Sequence, residues 1–340
     1  MKIVLVGEAN AGSRTPQRRR ALEELGHQVV MAPTTPPGWS YENRPSLLTR
    51  LRYRLRLPAD PAGANRTLLA VAEGADLVIL DNARMIHPAT LRAIRRAVPA
   101  VRLIWYSEDD TMNPRHRTRW LEGCIPLFDL WVTTKSFNAD PTEVPSLGAR
   151  RVMVMDNSFC PHDHAPIAPD PTFSAQICFV GTFEAPRAAD LSALAEAGMT
   201  VRVWGNGWDS MSGRHSGLRI EGRPVYGDDY RRAVCSSAIN LCFLRKGNRD
   251  LQTCRSLEIP AMGGFMLHED SVEMHRLLAP NREAAYFSTR NDLVRQCRLW
   301  LADDDGRKRV ADTGHHRVLT DGHSHHARWR AILAQAQDLS

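Results

Sequence analysis

The stretch LRKGNRDLQTCRSLEIPAMGGFMLHED, residues 244–270, follows an apolar run at 239–243 and contains a second one at 264–267. Two short apolar runs joined by a segment of helical length make a β-α-β unit, the building block of a parallel sheet. Gly263 and Gly264 stop the helix before the second strand. The spacing predicts a helix beginning near Asp250, so that the unpaired N–H groups of Leu251, Gln252 and Thr253 form an anion site suited to a diphosphate. Arg245, Lys246, Arg249 and Arg255 bring positive charge to the same place. They would be surface charge by default, but they follow an apolar strand at its carboxyl end, where parallel sheets bind ligands. Asp250 and Glu258 are eight residues apart, about two helical turns, and on one helix would share a face. Two such acids otherwise form a solvated face.

The same alternation continues outward. Further strand candidates lie at 176–180 and 200–204, each at the edge of a helical stretch. Before them, residues 156–172 read DNSFCPHDHAPIAPDPT, a composition that favours an extended connector over a packed element and is read as a hinge. The N-terminal half repeats the pattern with runs at 2–6, 27–31, 77–80, 101–106 and 130–133, and a helix at 17–25 closed by Gly26. The reading is α/β: a Rossmann-like acceptor-side domain at 1–158, a hinge at 159–172, a second Rossmann-like domain at 173–322, and a terminal segment at 323–340 whose residues 325–339 look helical and could pack back on the first domain. Ligands of doubly wound sheets bind beyond the strands' carboxyl ends, which selects Gly7, Gly12, Arg14, Asp81, Asn82, Asp109 and Asp110 in the first domain. Gly7 and Gly12 do not complete a dinucleotide fingerprint, so a dehydrogenase is disfavoured.

The motifs of the second half resemble a known family. Segment 244–270 is similar to the C-terminal domain of GT-B glycosyltransferases, in particular the family related to the spore maturation protein CgeB. Many retaining members carry an acid followed eight positions later by a glutamate. Asp250 and Glu258 match, with aspartate where glutamate is commoner. Phe179-Val180-Gly181 with Arg187 resembles the family's first C-domain strand and phosphate-facing turn, and Val203 to Trp208 its next glycine-rich strand end, including Gly205. Gly222-Arg223-Pro224-Val225-Tyr226 falls where the base is usually held, and His323-Ser324-His325 with Arg328 is similar to the family's ending. The likeness runs from about residue 175 to 330 and is loose in the N-terminal half, through 106–110 and 129–135.

The resemblance implies two Rossmann-like domains facing a cleft, and a nucleotide-diphosphate sugar as co-substrate with no other cofactor and no metal. It further implies retention of configuration. Asp250 would touch the transferred sugar, and Glu258 the ribose. Gly181, Arg187, Gly205, Arg223, Val225 and residues 245–255 would line the donor. Asp109 and Asp110 stand open between metal ligand, general base and helix cap. A nucleotide-sugar epimerase of the same fold, or a silent nucleotide- or partner-binding module, are the rival functions. The acceptor stays open between glycan, lipid, protein and small metabolite, as does the oligomeric state.

Composition excludes other classes. The net charge of +6 comes almost wholly from arginine, the lysines being Lys2, Lys135, Lys246 and Lys308, and no nucleic-acid motif accompanies it. The seven cysteines show no C-x-x-C pair, so neither a zinc ribbon nor a disulfide framework is indicated. The histidines His315, His316, His323, His325 and His326 lack a firm ligand spacing. No apolar run is long enough to span a membrane and the opening lacks a signal-peptide pattern, which places the chain in the cytoplasm. Residues 47–57, LLTRLRYRLRL, put leucines on one helical face flanked by arginines. That pattern suits an ordinary domain helix, a basic lip for an anionic acceptor, or peripheral contact with an anionic membrane.

Overall fold

A computed structural model describes residues 1–338, which form two compact units. The first comprises Met1–Asp156, residues 246–250 and the stretch from His325; the second comprises Asn157–Arg245 and Leu251–Ser324.

In the first unit, strands β1 (Lys2–Gly7), β2 (Gln28–Pro33), β3 (Leu77–Asp81), β4 (Arg102–Ser107), β5 (Leu130–Thr133) and β6 (Val152–Val154) form one parallel sheet in the order β2-β1-β3-β4-β5-β6. Helices α1 (Thr15–Glu24), α2 (Leu47–Arg54), α3 (Ala64–Val71), α4 (Pro88–Ala97) and α5 (Arg119–Cys124) connect them. Because side chains alternate along a strand, the central strands feed two cores. Val4, Val6, Val78, Leu80, Leu103 and Trp105 pack on one face; Ile3, Leu5, Leu77, Ile79, Ile104 and Tyr106 pack on the other.

The second unit repeats the plan with β7 (Ala175–Val180), β8 (Val201–Trp204), β9 (Leu218–Ile220), β10 (Ser237–Cys242), β11 (Met266–Glu269) and β12 (Ala285–Phe287), all parallel, in the order β12-β11-β10-β7-β8-β9. Its helices are α6 (Ala185–Glu196), α7 (Gly227–Cys235), α8 (Arg255–Ala261), α9 (Val272–Leu277), α10 (Arg290–Ala302) and α11 (Asp304–Thr320). The final helix, α12 (His325–Gln337), belongs to the first unit. Its Trp329, Ile332, Leu333 and Ala336 complete the core around Ile3 and Leu5, and His326 Nε2 lies 2.5 Å from Glu24 of α1. Leu339, placed in this helix from the sequence, lies outside the described residues.

Two local readings are corrected. The start of the proline-rich stretch is packed: Phe159, Cys160 and His164 are buried within the second unit, and the Phe159 N–H donates to His323 O at 3.2 Å, whereas residues 165–172 stay largely exposed with no strand or α-helix. The helix expected from Asp250 begins at Arg255. Arg249 has a φ of +46°, and Asp250 is held by Lys135 and Asn248 instead of opening a helix. Leu251, Gln252 and Thr253 therefore precede α8, and Asp250 and Glu258 are not on one helix. No described helix is long and apolar enough to cross a membrane.

Candidate functional site

In the second unit the carboxyl ends of β7, β8 and β9 are tied by backbone. Gly181 N–H donates to Trp204 O at 2.8 Å, Gly205 N–H to Arg223 O at 3.0 Å, and Trp208 Nε1 to Gly181 O at 2.8 Å. Gly205 has a φ of +146°, and a Cβ there would stand 2.0 Å from Gly181 O, so only glycine fits this turn. Gly181, Gly205 and Arg223 are thus brought together. The guanidinium of Arg223 is held by Asp229 at 3.0 Å, while the Val225 side chain is buried in the core.

Arg187, in the first turn of α6, is 8% exposed. Burial pushes its guanidinium below its ordinary value, and Arg255 and Arg245 push it further, against the opposing pull of Glu184. Its Nη1 reaches Thr182 O at 3.2 Å and Glu184 at 3.4 Å. The Nε atoms of Arg187 and Arg255 are both buried without a hydrogen-bond partner. Arg255, 68 residues along the chain from Arg187, and Arg245 thus lie near enough for their charges to act on Arg187.

Beneath α8, Glu258 is 3% exposed; it accepts from Tyr230 OH at 3.1 Å and lies 3.9 Å from His164 Nε2. Gln252 is committed to structure, accepting the Asn157 N–H at 2.9 Å and donating to Glu273 at 2.9 Å. Leu251 O accepts from Ser271 Oγ, and Thr253 Oγ1 lies 3.5 Å from Cys242 Sγ.

In the first unit the acids selected from the sequence all hold cations. Asp250 Oδ1 accepts from Lys135 Nζ at 2.6 Å and from Asn248 Nδ2 at 2.6 Å, and both charged side chains are buried. Asp110 accepts from Arg249 at 2.7 and 2.9 Å, from Asn138 at 3.1 Å and from the Met112 N–H at 3.0 Å. Burial alone would push its carboxyl up, but those hydrogen bonds outweigh it and hold Asp110 below the usual carboxylate range. Arg249 also engages Glu143 and lies over the Phe137 ring at 4.1 Å. Asp109 takes Arg84 at 2.6 Å and Asn82 at 3.0 Å. Neither Asp109 nor Asp110 caps a helix, since α5 starts later under the Thr118 side chain.

Asp81 accepts from Arg18 at 2.6 Å and Thr15 at 2.7 Å, and Arg14 stands 3.9 Å from Glu108. Gly7 is required here, because a Cβ would meet Thr15 Oγ1 at 2.6 Å. Gly12 and Asn82 turn the chain with φ of +80° and +53°. Lys246 is exposed in a short turn at Lys246–Asn248. Three histidines have separate partners: His315 meets Pro260 O, His325 meets Gln17 and His326 meets Glu24.

Sucrose-phosphate synthase from Thermosynechococcus elongatus has a TM-score of 0.66 at 12% identity, over 100% of each chain. An alpha-glucosyltransferase in complex with UDP gives 0.66 at 11% identity, over 99% of this chain and 100% of its own. HepE of Anabaena in complex with UDP-glucose gives 0.64 at 11%, over 98% and 100%. No curated protein sequence matches the chain. Residues 187–334 match the family model described as glycosyl transferase-like. The chain has the GT-B fold of these enzymes.

The protein also holds residues that sequence reading passed over. Tyr230 and His164 flank Glu258 from positions 28 and 94 residues away, counted along the chain. His268 is fully buried at the end of β11 with Nε2 2.8 Å from Ser256 Oγ of α8. Lys135 was legible only as one of few lysines, and nothing local announces its bond to Asp250.

Proposed function

We propose that the protein is a glycosyltransferase that takes its sugar from a nucleotide-diphosphate donor whose diphosphate is bound by Arg187, Arg245 and Arg255. One observation carries the reading: the buried Arg187 feels the charges of Arg255 and Arg245, and among the described residues the buried Nε atoms of Arg187 and Arg255 have no hydrogen-bond partner. A buried polar group without a partner costs free energy, and like charges held together cost more. A diphosphate removes both penalties, because its oxygens accept from guanidinium forks and its charge reverses the repulsion.

Those guanidinium groups then stabilise the charge that develops on the departing nucleoside diphosphate, so the reading requires no divalent metal. The turn at Gly205 packs against Gly181 O more closely than a Cβ would allow, and the phosphates are assigned to the backbone of this turn. Glu258, steadied by Tyr230, is assigned to the ribose hydroxyls. Asp250 is assigned to positioning, since its carboxylate neutralises Lys135 and lies off the helix that carries Glu258. Retention of configuration remains the expected outcome, supported by the sequence resemblance.

The test is calorimetry with a panel of nucleoside diphosphates, with and without chelator, on wild type and Arg187→Ala. Chelator-insensitive binding that falls roughly ten- to a hundredfold in the variant is expected, the value of one charge-assisted hydrogen bond. Binding that vanishes with chelator, or that ignores Arg187, defeats the assignment. Donor turnover measured without any acceptor separates transfer from epimerisation.

A further inference from the structure

Among the described α-helices, α2 alone buries none of its residues. Leu47, Leu48 and Leu51, with Leu55 at the C-cap, are 81%, 65%, 53% and 50% exposed. At 100° per residue these four leucines fall within an arc of about 100°, with Arg50 and Arg54 along one edge and Arg52 beyond the other. Residues 43–59 contain five arginines and no acid. Arg50 Nε and Arg52 Nε reach only the carbonyls of Pro45 and Leu57, at 3.1 and 3.2 Å, and among the described residues neither they nor Arg54 has a carboxylate partner.

The helix is nevertheless fixed in place. Ser46 caps its start by accepting the Thr49 N–H at 3.2 Å. At its end Arg56 takes a φ of +62° and turns inward, donating to Arg117 O at 2.7 Å and pairing with Glu122. The leucines are therefore held outward by a rigid base.

What covers this face must offer hydrocarbon to the leucines and anions to the arginines around them. A second copy of the helix would supply the first but would set three arginines against three. A bilayer with anionic headgroups supplies both. We propose that α2 is a peripheral membrane anchor lying in the interface of an anionic bilayer, its leucines at the acyl boundary and Arg50, Arg52 and Arg54 among the headgroup phosphates. The anchor stands whether or not the sugar-donor assignment does.

The test is co-sedimentation of the full chain with vesicles of phosphatidylcholine alone and of phosphatidylcholine mixed with phosphatidylglycerol. Binding is expected to the mixed vesicles only, and to weaken as salt rises. Each arginine adds about fivefold to partitioning, so the triple variant Arg50→Gln, Arg52→Gln, Arg54→Gln should bind roughly a hundredfold more weakly. Leu48→Glu with Leu51→Glu should abolish binding while circular dichroism stays that of wild type, because both side chains are already in water. No binding to mixed vesicles at low salt, equal binding to both compositions, or an unaffected arginine variant would overturn the proposal. So would a dimer in sedimentation velocity that the leucine variant dissolves in a chain that ignores vesicles.

Discussion

In the first unit each selected acid after a strand grips a cation: Asp81 holds Arg18, Asp109 holds Arg84, Asp110 holds Arg249 and Asp250 holds Lys135. In the second unit Arg255 and Arg245 push on the buried Arg187, and Glu184 at 3.4 Å, itself 36% exposed, offsets only part of that. One parallel-sheet plan thus carries two electrostatic states. Charges that are neutralised internally hold a structure together; a buried charge set against like charges, as Arg187 is, favours an anionic ligand. Removing a member of each set should therefore have opposite effects on stability.

The largest effect is expected at the buried ion pair. Asp250→Ala or Lys135→Ala leaves the other charge uncompensated and should destabilise the first unit by about 3–5 kcal/mol, whereas Asp250→Leu with Lys135→Met should recover most of that loss. Denaturant unfolding of the singles and the double reads it. Equal stability of all four proteins would mean that the pair is not buried as described.

Arg187→Met is the converse case. Nucleoside diphosphate affinity should fall by about 1.5–3 kcal/mol, while the melting temperature of the ligand-free protein stays or rises, because a repelled buried charge has gone. A variant that loses stability along with binding would make Arg187 a structural residue, and the contrast between the units would collapse.

Tyr230→Phe removes one hydrogen bond to Glu258 and should cost nucleotide affinity about 0.5–1.5 kcal/mol with little change in turnover once donor saturates. A fall in turnover with unchanged affinity would move Glu258 from ribose to chemistry.

The smallest effect concerns Asp110. Its carboxyl is depressed in the folded chain, so its contribution is present above the ordinary aspartate value of about 3.9 and is lost as pH falls through the lower folded value. Its partner Arg249 is 44% exposed, so solvent screening keeps the contribution under about 1 kcal/mol. Acid unfolding of Asp110→Asn compared with wild type, below about pH 4, isolates that step.

Nine of the twelve described strands were legible because they read as apolar runs, most of them buried on both faces. The three that escaped, Val152–Val154, Leu218–Ile220 and Ala285–Phe287, are three-residue edge strands. They pair on one side only and are too short for a pattern. The start of α8 was misread because the helical spacing from Asp250 to Glu258 is real in sequence, yet Arg249 turns left-handed and Asp250 is claimed by a lysine 115 residues earlier. Arg187, Arg245 and Arg255 could each be singled out, but their crowding depends on the pairing of β7 with β10, a distance the chain does not encode locally. The exposure of α2 was equally hidden, since an amphipathic pattern states that one face wants cover without saying what covers it.

The placement of α12 in the first unit has a consequence during biosynthesis. Glu24 and His326 are 302 residues apart, so the sheet face formed by Ile3, Leu5, Ile79 and Ile104 waits for Trp329 and Ile332 until nearly the whole described chain has left the ribosome. At roughly 5–20 residues per second, that interval lasts on the order of ten seconds or more after residue 156 is made. The second unit, complete by Ser324, needs nothing from α12 to finish its own core. The half of the chain synthesised first is therefore the half whose core is completed last.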